Sequence, residues 1–265
     1  MPRRSATVLS VALALLASGC AAPSIGTRTD AAPIPAPAAS WSPVGASVEG
    51  RPIEAITIGA GARRVLIIGA IHGDEPEGLA TIDPLIDHLA ASPALLRAAT
   101  VRVVRDANPD GTAAGSRGNA RRVDLNRNWP ASNFAPARTR GRQPLSEPET
   151  AALHTLIASF VPDLVVVFHS TPSGPFVNYD GPAERDAHAF ADAAAALDPR
   201  WRVVPNIGYP TPGSLGSYLG VDLGVPILTV EFARRHDPDA ARTAVLEGIG
   251  AVLTPPRAPA AASPP

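Results

Sequence analysis

The sequence predicts a single α/β domain with a mixed, mostly parallel central sheet and helices on both faces. Hydrophobic residues make up 45% of the 265-residue chain, which is enough for a packed core. Short, nearly continuous apolar runs alternate with segments of helical periodicity, as in sheets that are buried on both faces. Both ends are rich in Ala, Pro and Ser, so about 210 residues remain for the core, the size of one domain.

The individual elements follow from apolar spacing. Short β-branched runs bounded by Gly, Pro or Asp predict strands at Ile53–Ile58, Val65–Ala70, Val101–Val104, Leu164–Phe168 and Ile227–Phe232. Helical spacing predicts helices at Glu75–Ala91, Glu147–Phe160, Ala183–Leu197 and Ala240–Leu253. Ser146 followed by Glu149 forms a capping-box pattern at the second of these helices. In such folds, functional residues collect at the carboxyl ends of the strands.

The N-terminal residues are typical of an export signal. A short basic start is followed by the apolar run Ala6–Ala17, which is too short to span a membrane. The sequence Leu16-Ala17-Ser18-Gly19-Cys20 resembles the bacterial lipobox, where the chain is cleaved before the cysteine and its thiol is lipidated. An ordinary signal peptide with an incidental cysteine is the alternative, and Arg3-Arg4 leaves the choice between Sec and Tat export open.

These features predict the organisation of the chain. We expect a signal peptide over residues 1–19, an Ala/Pro-rich tether over 20–43, a folded domain over 44–254 and a disordered tail over 255–265. The mature protein would then be a lipoprotein of the bacterial cell envelope, tethered to the membrane through Cys20 on the periplasmic side. Ala21 is not the aspartate that retains many lipoproteins at the inner membrane, so we expect the outer membrane.

Composition excludes several kinds of chemistry. The formal net charge is −1, which gives no general attraction for nucleic acid. All 23 basic residues are arginine, so a Schiff base or lysine nucleophile is excluded. The single cysteine, Cys20, excludes cysteine-ligated zinc and internal disulfides. Ser170 follows a histidine, but the chain has no G-x-S-x-G elbow, which disfavours a serine hydrolase.

A candidate metal site follows two predicted strands. His72 and Glu75 lie directly after the strand Val65–Ala70, and His169 closes the strand that runs to Phe168. Two imidazoles and one carboxylate suit zinc and leave a fourth position open, as in catalytic sites. A hydrogen-bonded His–Glu pair is the alternative. The other histidines are predicted to be surface or packing residues: His88, His154, His188 and His236.

Two further features carry candidate substrate chemistry. The stretch from Arg117 to Trp129 follows the turn Asn108–Gly111 and is either a solvated loop or a binding loop, in which Asn126 and Arg127 could clamp a carboxylate. Glu231 ends an apolar strand, so it is either an ion-paired acid, for example with Arg234, or a general base.

Taken in order, the motifs HGDE, NPDG, VDLNRNW, FHS, YPTPGS and VEF resemble the zinc metallocarboxypeptidase family, and most closely its bacterial murein peptide amidase branch. The resemblance covers about residues 50 to 235. It implies a carboxypeptidase-like fold, one zinc ion per chain and hydrolysis of peptide bonds.

The resemblance also implies residue roles. It makes His72, Glu75 and His169 the zinc ligands, Asp124 the acid that orients His72, and Glu231 the general base. Asn126 and Arg127 match the pair that binds the substrate carboxylate, and Tyr209 matches a mobile tyrosine near the substrate. Arg117 is the best match for the arginine that polarises the scissile carbonyl, with Arg121 and Arg122 as rivals. The specificity pocket is expected among Ser170-Thr171, Phe176–Tyr179 and Thr211–Ser214.

The implied activity is zinc-dependent hydrolysis of an amide bond beside a free carboxylate, with the γ-D-Glu–diaminopimelate bond of murein peptides as the expected target. A general metallocarboxypeptidase acting on L-peptides and an N-acyl amino acid deacylase are the alternatives. A catalytically inactive peptidoglycan-binding lipoprotein is a third, which the presence of Glu231 disfavours.

Overall fold

A seven-stranded sheet forms the centre of the protein in the computed structural model, which describes residues 40–205, 207–234 and 238–254. The strands lie side by side in the order β1-β2-β4-β3-β5-β7-β6. Their bounds are β1 Ser42–Ala46, β2 Pro52–Ile58, β3 Arg63–Ile68, β4 Ala99–Val104, β5 Leu164–Thr171, β6 Phe176–Asp180 and β7 Ile227–Ala233. The signal peptide, Cys20 and the tail predicted above lie outside the described residues.

Helices cover both faces of the sheet, as predicted. The described residues form α1 Pro76–Ala90, α2 Pro93–Ala98, α3 Pro109–Ala114, α4 Pro148–Phe160, α5 Glu184–Ala195 and α6 Pro238–Leu253. Helices α1, α5 and α6 contribute to the core on one face, and α4 contributes to the core on the other. None of the helices in this part of the chain combines the length and the apolar character needed to cross a bilayer.

The burial of the central strands explains their unbroken apolar runs. In β3, Val65 and Ile67 face the core beneath α1, whereas Leu66 and Ile68 face the core beneath α4. Successive side chains of a strand point to opposite faces, so a strand covered on both sides has to be apolar throughout.

The strand directions place the site. The four central strands β4, β3, β5 and β7 are parallel, which confirms the predicted parallel centre of a mixed sheet. Strands β1, β2 and β6 pair antiparallel at the two edges. Strand β4, which follows β3 in the chain, lies on one side of β3, and the next strand, β5, lies on the other side. The carboxyl ends of β3 and β5 therefore form a switch point, where ligands bind in such sheets.

Several local predictions need correction. Strands β1 and β6 and helices α2 and α3 were not predicted, and β1 begins at Ser42, inside the predicted tether. The predicted turn Asn108–Gly111 is the first turn of α3, where the Asn108 side chain accepts a hydrogen bond from the Gly111 backbone.

The capping box predicted at α4 does not form. Pro148 begins the helix, so Glu147 takes the capping position, and the Ser146 hydroxyl donates to its carboxylate. The side-chain oxygen of Asn128 instead accepts from the Glu147 backbone at 3.2 Å and from the Thr150 hydroxyl at 2.7 Å. A side chain distant in the sequence thus anchors the start of the helix, which has no side-chain cap of its own.

Candidate active site

Three buried side chains bring their donor atoms together at the carboxyl ends of β3 and β5. His72, Glu75 and His169 are only 1%, 4% and 5% exposed. His72 Nδ1 lies 3.1 Å from Glu75 Oε1, and His169 Nδ1 lies 3.0 Å from both Glu75 Oε2 and His72 Nδ1. One ligand atom from each residue lies within 4.8 Å of the others, which is the spacing of donors that share one cation.

The backbone around this group is built for close packing. A Cβ atom at Gly73 would lie 1.9 Å from the carbonyl carbon of Gly111 in α3, so only glycine fits between His72 and Glu75.

His169 lies within β5 rather than at its end, because pairing with β7 continues to Thr171. The predicted strand end was therefore too early, although the three residues meet as predicted.

Asp124 holds the far side of the His72 ring. Its Oδ1 lies 2.9 Å from His72 Nε2 and its Oδ2 accepts from Arg117 Nε at 3.0 Å. A carboxylate can only accept, so Nε2 carries the proton and the Nδ1 lone pair faces the site. Burial alone would raise the pKa of Asp124, but the His72 hydrogen bond and the charges of His72, Arg117 and Arg127 hold it well below the ordinary range.

These residues fit a zinc ion. Two imidazole nitrogens and a carboxylate are a zinc donor set, and the Asp124–His72 contact is the usual support of a metal-bound histidine. Burial raises the pKa of Glu75, yet the hydrogen bonds to His169 and His72 lower it far more, so the carboxylate is ionised. The Glu75 carboxylate is thus in the deprotonated state that metal binding needs.

Arg117 is the one of the three candidate arginines that lines the cleft. Its Nη1 donates to Glu75 Oε1 at 2.9 Å, beside its contact with Asp124. Arg121 instead pairs with Glu147 at 3.4 Å, and Arg122, whose φ is 62°, does not line the cleft. The position of Arg117 agrees with the role that the family resemblance implies for it.

Asn126 and Arg127 lie in a 3₁₀ turn, Leu125–Arg127, next to the metal ligands. The side-chain oxygen of Asn126 accepts from the Leu215 backbone at 2.9 Å, and its nitrogen lies 3.3 Å from His169 Nε2. Arg127 donates to the Asn126 carbonyl at 2.7 Å and lines the cleft. Tyr209, 61% exposed, lies at the rim.

Glu231 faces the same cleft from β7, in direct register with His169 on β5. Its carboxylate has no hydrogen bond or ion pair with any other described residue. Burial raises its pKa, with the nearby Glu75 adding to the effect and His169 opposing it.

The ion pair between Glu231 and Arg234, one alternative of the sequence, does not form. Arg234 lies 3.2 Å from Glu75 Oε1 and 3.6 Å from Asp74 Oδ2, and it donates to Ser170. Glu231 also lies within β7, two residues before its end. Both outcomes follow from the continued β5–β7 pairing, which points Glu231 into the cleft and carries Arg234 past it.

The cleft has a volume of about 440 Å³. Ser170, Thr171, Asn178, Thr211 and Ser214 line it, as expected for the specificity pocket. Thr229, Arg234 and Asp180 also line it and were not predicted as pocket residues. The only signal for Asp180 is its spacing of two residues from Asn178, which places both on the same face of a strand.

The remaining histidines stay outside the site where they are described. His154 lies 2.9 Å from the Tyr218 hydroxyl beneath the sheet, His188 is exposed on α5, and His88 is half-buried on α1. His236 is outside the described residues.

Comparisons with known proteins agree with this geometry. Residues 37–219 match the model of the zinc carboxypeptidase family. Murein peptide amidase A of Escherichia coli K12 is 36% identical over 183 residues, which are 63% of this chain and 70% of that protein. The corresponding protein of Vibrio campbellii is 31% identical over 184 residues, 63% of this chain and 68% of that protein.

Solved structures extend the likeness to the fold. The crystal structure of murein-tripeptide amidase from Escherichia coli O157 superposes with a TM-score of 0.62 at 30% identity, covering 80% of this chain and 91% of that one. Carboxypeptidase A of Helicoverpa armigera shares the fold alone, with a TM-score of 0.67 at 20% identity over 81% of this chain and 66% of that one. The chain therefore belongs to the zinc carboxypeptidase family and is a zinc-dependent hydrolase.

Proposed function

We propose that this protein hydrolyses an amide bond whose leaving amine bears a free carboxylate, and that its substrate is the γ-D-Glu–diaminopimelate bond of murein peptides. The observation that carries the proposal is the meeting of the His72–Glu75–His169 group, the unpaired Glu231 and the Asn126–Arg127 pair in one cleft. The relatives named murein peptide amidase support the choice of substrate.

The residues divide the chemistry among them. When bound by His72, Glu75 and His169, zinc polarises the scissile carbonyl and lowers the pKa of water. Glu231 takes the proton of the attacking water and passes it to the leaving amine, a transfer for which an unpaired carboxylate with a raised pKa is suited. Arg117, beside Glu75, donates to the oxygen on which negative charge develops.

The substrate is positioned through its carboxylate. The Asn126 side chain is held by the Leu215 backbone, and the Arg127 side chain is held by the Asn126 carbonyl, so both present their groups in a fixed orientation. A guanidinium beside an amide binds a carboxylate in a defined register. The amine released from γ-D-Glu–diaminopimelate bears such a carboxylate.

The proposal is tested with the tripeptide L-Ala-γ-D-Glu-diaminopimelate. We expect mass spectrometry to detect free diaminopimelate, and little release of the last residue from ordinary L-tripeptides. Efficient trimming of L-peptides with an intact murein tripeptide would identify a general carboxypeptidase instead. Cleavage of N-acyl amino acids alone would identify a deacylase.

We also propose that Cys20 is lipidated and anchors the protein on the periplasmic side of the envelope, in the outer membrane. The lipobox-like sequence, the single cysteine and the following Ala21 support this. Cys20→Ser should move the full-length protein from the membrane fraction to the soluble fraction. An unchanged distribution would remove the tether from the proposal.

A further inference from the structure

The cleft carries its charges unevenly. Its three arginines, Arg117, Arg127 and Arg234, each contact the metal-ligand group or its neighbouring turn. Toward the other end the lining is neutral, with one exception, the carboxylate of Asp180 at the end of β6.

The strand register places Asp180 toward one end of the cleft, away from Glu231. Asp180 pairs with Ile227 on β7, four residues before Glu231, and Asn178 pairs with Thr229 between them. At about 3.3 Å per residue, Asp180 is displaced about 13 Å along the strand from the proposed base.

Asp180 has no use within the protein that the contacts reveal. Its carboxylate has no hydrogen bond or ion pair with any other residue in the described part of the chain. Burial raises its pKa, which is the behaviour of a carboxylate that lacks a compensating cation. A Cβ atom at Gly216 would lie 2.2 Å from Asp180 Oδ2, so this glycine leaves room for the carboxylate beside the loop that holds Asn126.

We propose that Asp180 is a specificity-determining residue whose carboxylate binds the distal ammonium group of the leaving diamino acid. The inference rests on the proposed function and names the part of the substrate that the Asp180 end of the cleft selects. With its α-carboxylate on Asn126 and Arg127, the leaving residue extends its side chain away from the arginines and toward Asp180. Acylation of the distal amine, as in a cross-linked stem, removes the charge, so the enzyme acts on stems that are not cross-linked there.

The test uses four tripeptides, L-Ala-γ-D-Glu-X. In these, X is diaminopimelate, lysine, 2-aminopimelate or diaminopimelate acetylated at its distal amine. Lysine keeps the ammonium without the second carboxylate, and 2-aminopimelate lacks the ammonium without added bulk. For the zinc-loaded protein we expect kcat/KM to be about 10- to 100-fold higher for the first two than for the last two, the effect of one charge-assisted hydrogen bond.

The variant Asp180→Asn should reduce this preference to a ratio near one by lowering kcat/KM for the ammonium substrates. Asp192→Asn, which removes an exposed acid of α5 outside the cleft, is the matched control and should keep the full preference. Metal content and thermal unfolding of both variants show whether they are folded.

The outcomes separate this inference from the proposed function. Equal cleavage of the diaminopimelate and 2-aminopimelate peptides by the unaltered protein overturns the role of Asp180 and leaves the amidase proposal standing. Titration calorimetry with free diaminopimelate and 2-aminopimelate measures their binding affinities and gives a second readout that needs no turnover. Binding that prefers diaminopimelate and loses the preference in Asp180→Asn supports the role even if the tripeptide is not cleaved, whereas equal affinities overturn it.

Discussion

The two sides of the cleft treat their carboxylates in opposite ways. On the side of β3 and the 117–127 segment, Glu75 and Asp124 are surrounded by histidines and arginines, and the pKa of each is well below its ordinary value. On the side of β6 and β7, Asp180 and Glu231 have no partner among the described residues, and the pKa of each is raised.

Burial does not explain the difference, because it raises the pKa of all four groups. The difference lies in whether a cation or hydrogen-bond donor opposes it. A paired carboxylate already interacts with neighbouring cations and donors, whereas an unpaired carboxylate can accept a proton or bind a charged ligand. We therefore propose that the first side serves structure and metal binding, and that the second serves catalysis and selection.

The largest expected effect is the loss of the metal. His169→Ala removes a donor atom that lies 3.0 Å from both His72 Nδ1 and Glu75 Oε2, so we expect the purified protein to fall from about one zinc per chain to none, with no measurable hydrolysis. His188→Ala, on the exposed face of α5, should keep both. Full metal content and activity in His169→Ala would show that His169 is not a metal ligand.

Glu231→Gln tests the unpaired side. We expect kcat to fall by about 10²- to 10⁴-fold, because proton transfer is lost, while zinc content stays at the level of the unaltered protein. Glu184→Gln on α5, outside the cleft, is the control. Turnover close to that of the unaltered protein would mean that Glu231 is not the base.

Asp124→Asn tests the paired side. The amide cannot carry the charge that supports the His72 ring, so zinc affinity should decrease by about 10- to 100-fold. Competition with a chelator of known affinity measures this, and activity should return when zinc is added in excess. Activity that stays low at saturating zinc would place Asp124 in the chemistry itself.

The smallest expected effect is on stability of the metal-free protein. Asp124→Asn weakens the hydrogen bonds from His72 and Arg117 and should lower the free energy of unfolding by about 1–3 kcal/mol. Glu231→Gln removes a half-buried charge without a partner among the described residues and should leave that free energy unchanged or raise it. Urea unfolding of both variants measures the two changes in the free energy of unfolding. Equal destabilisation would contradict the difference between paired and unpaired carboxylates.

Local patterns were sufficient for much of the fold. Strands β2, β3, β4, β5 and β7 and helices α1, α4, α5 and α6 were predicted because apolar spacing records which face of an element is buried. The edge strand β1 was missed for the same reason: it is only partly covered and reads SPVGA, so it lacks a buried pattern. The capping of α4 was mispredicted because the acceptor, Asn128, lies 19 residues away from Glu147.

The sequence by itself determined which residues could bind a metal and that they lie at or near the ends of strands, because ligand type and apolar strand patterns are local properties. It also determined the family, through the order of its motifs. Only the tertiary structure decided that Arg117 rather than Arg121 or Arg122 lines the cleft, that Arg234 pairs with Glu75 and not with Glu231, and that Asp180 reaches the cleft from an edge strand. The partners of a charged group depend on strand order and register, and these are set by contacts between residues far apart in the chain.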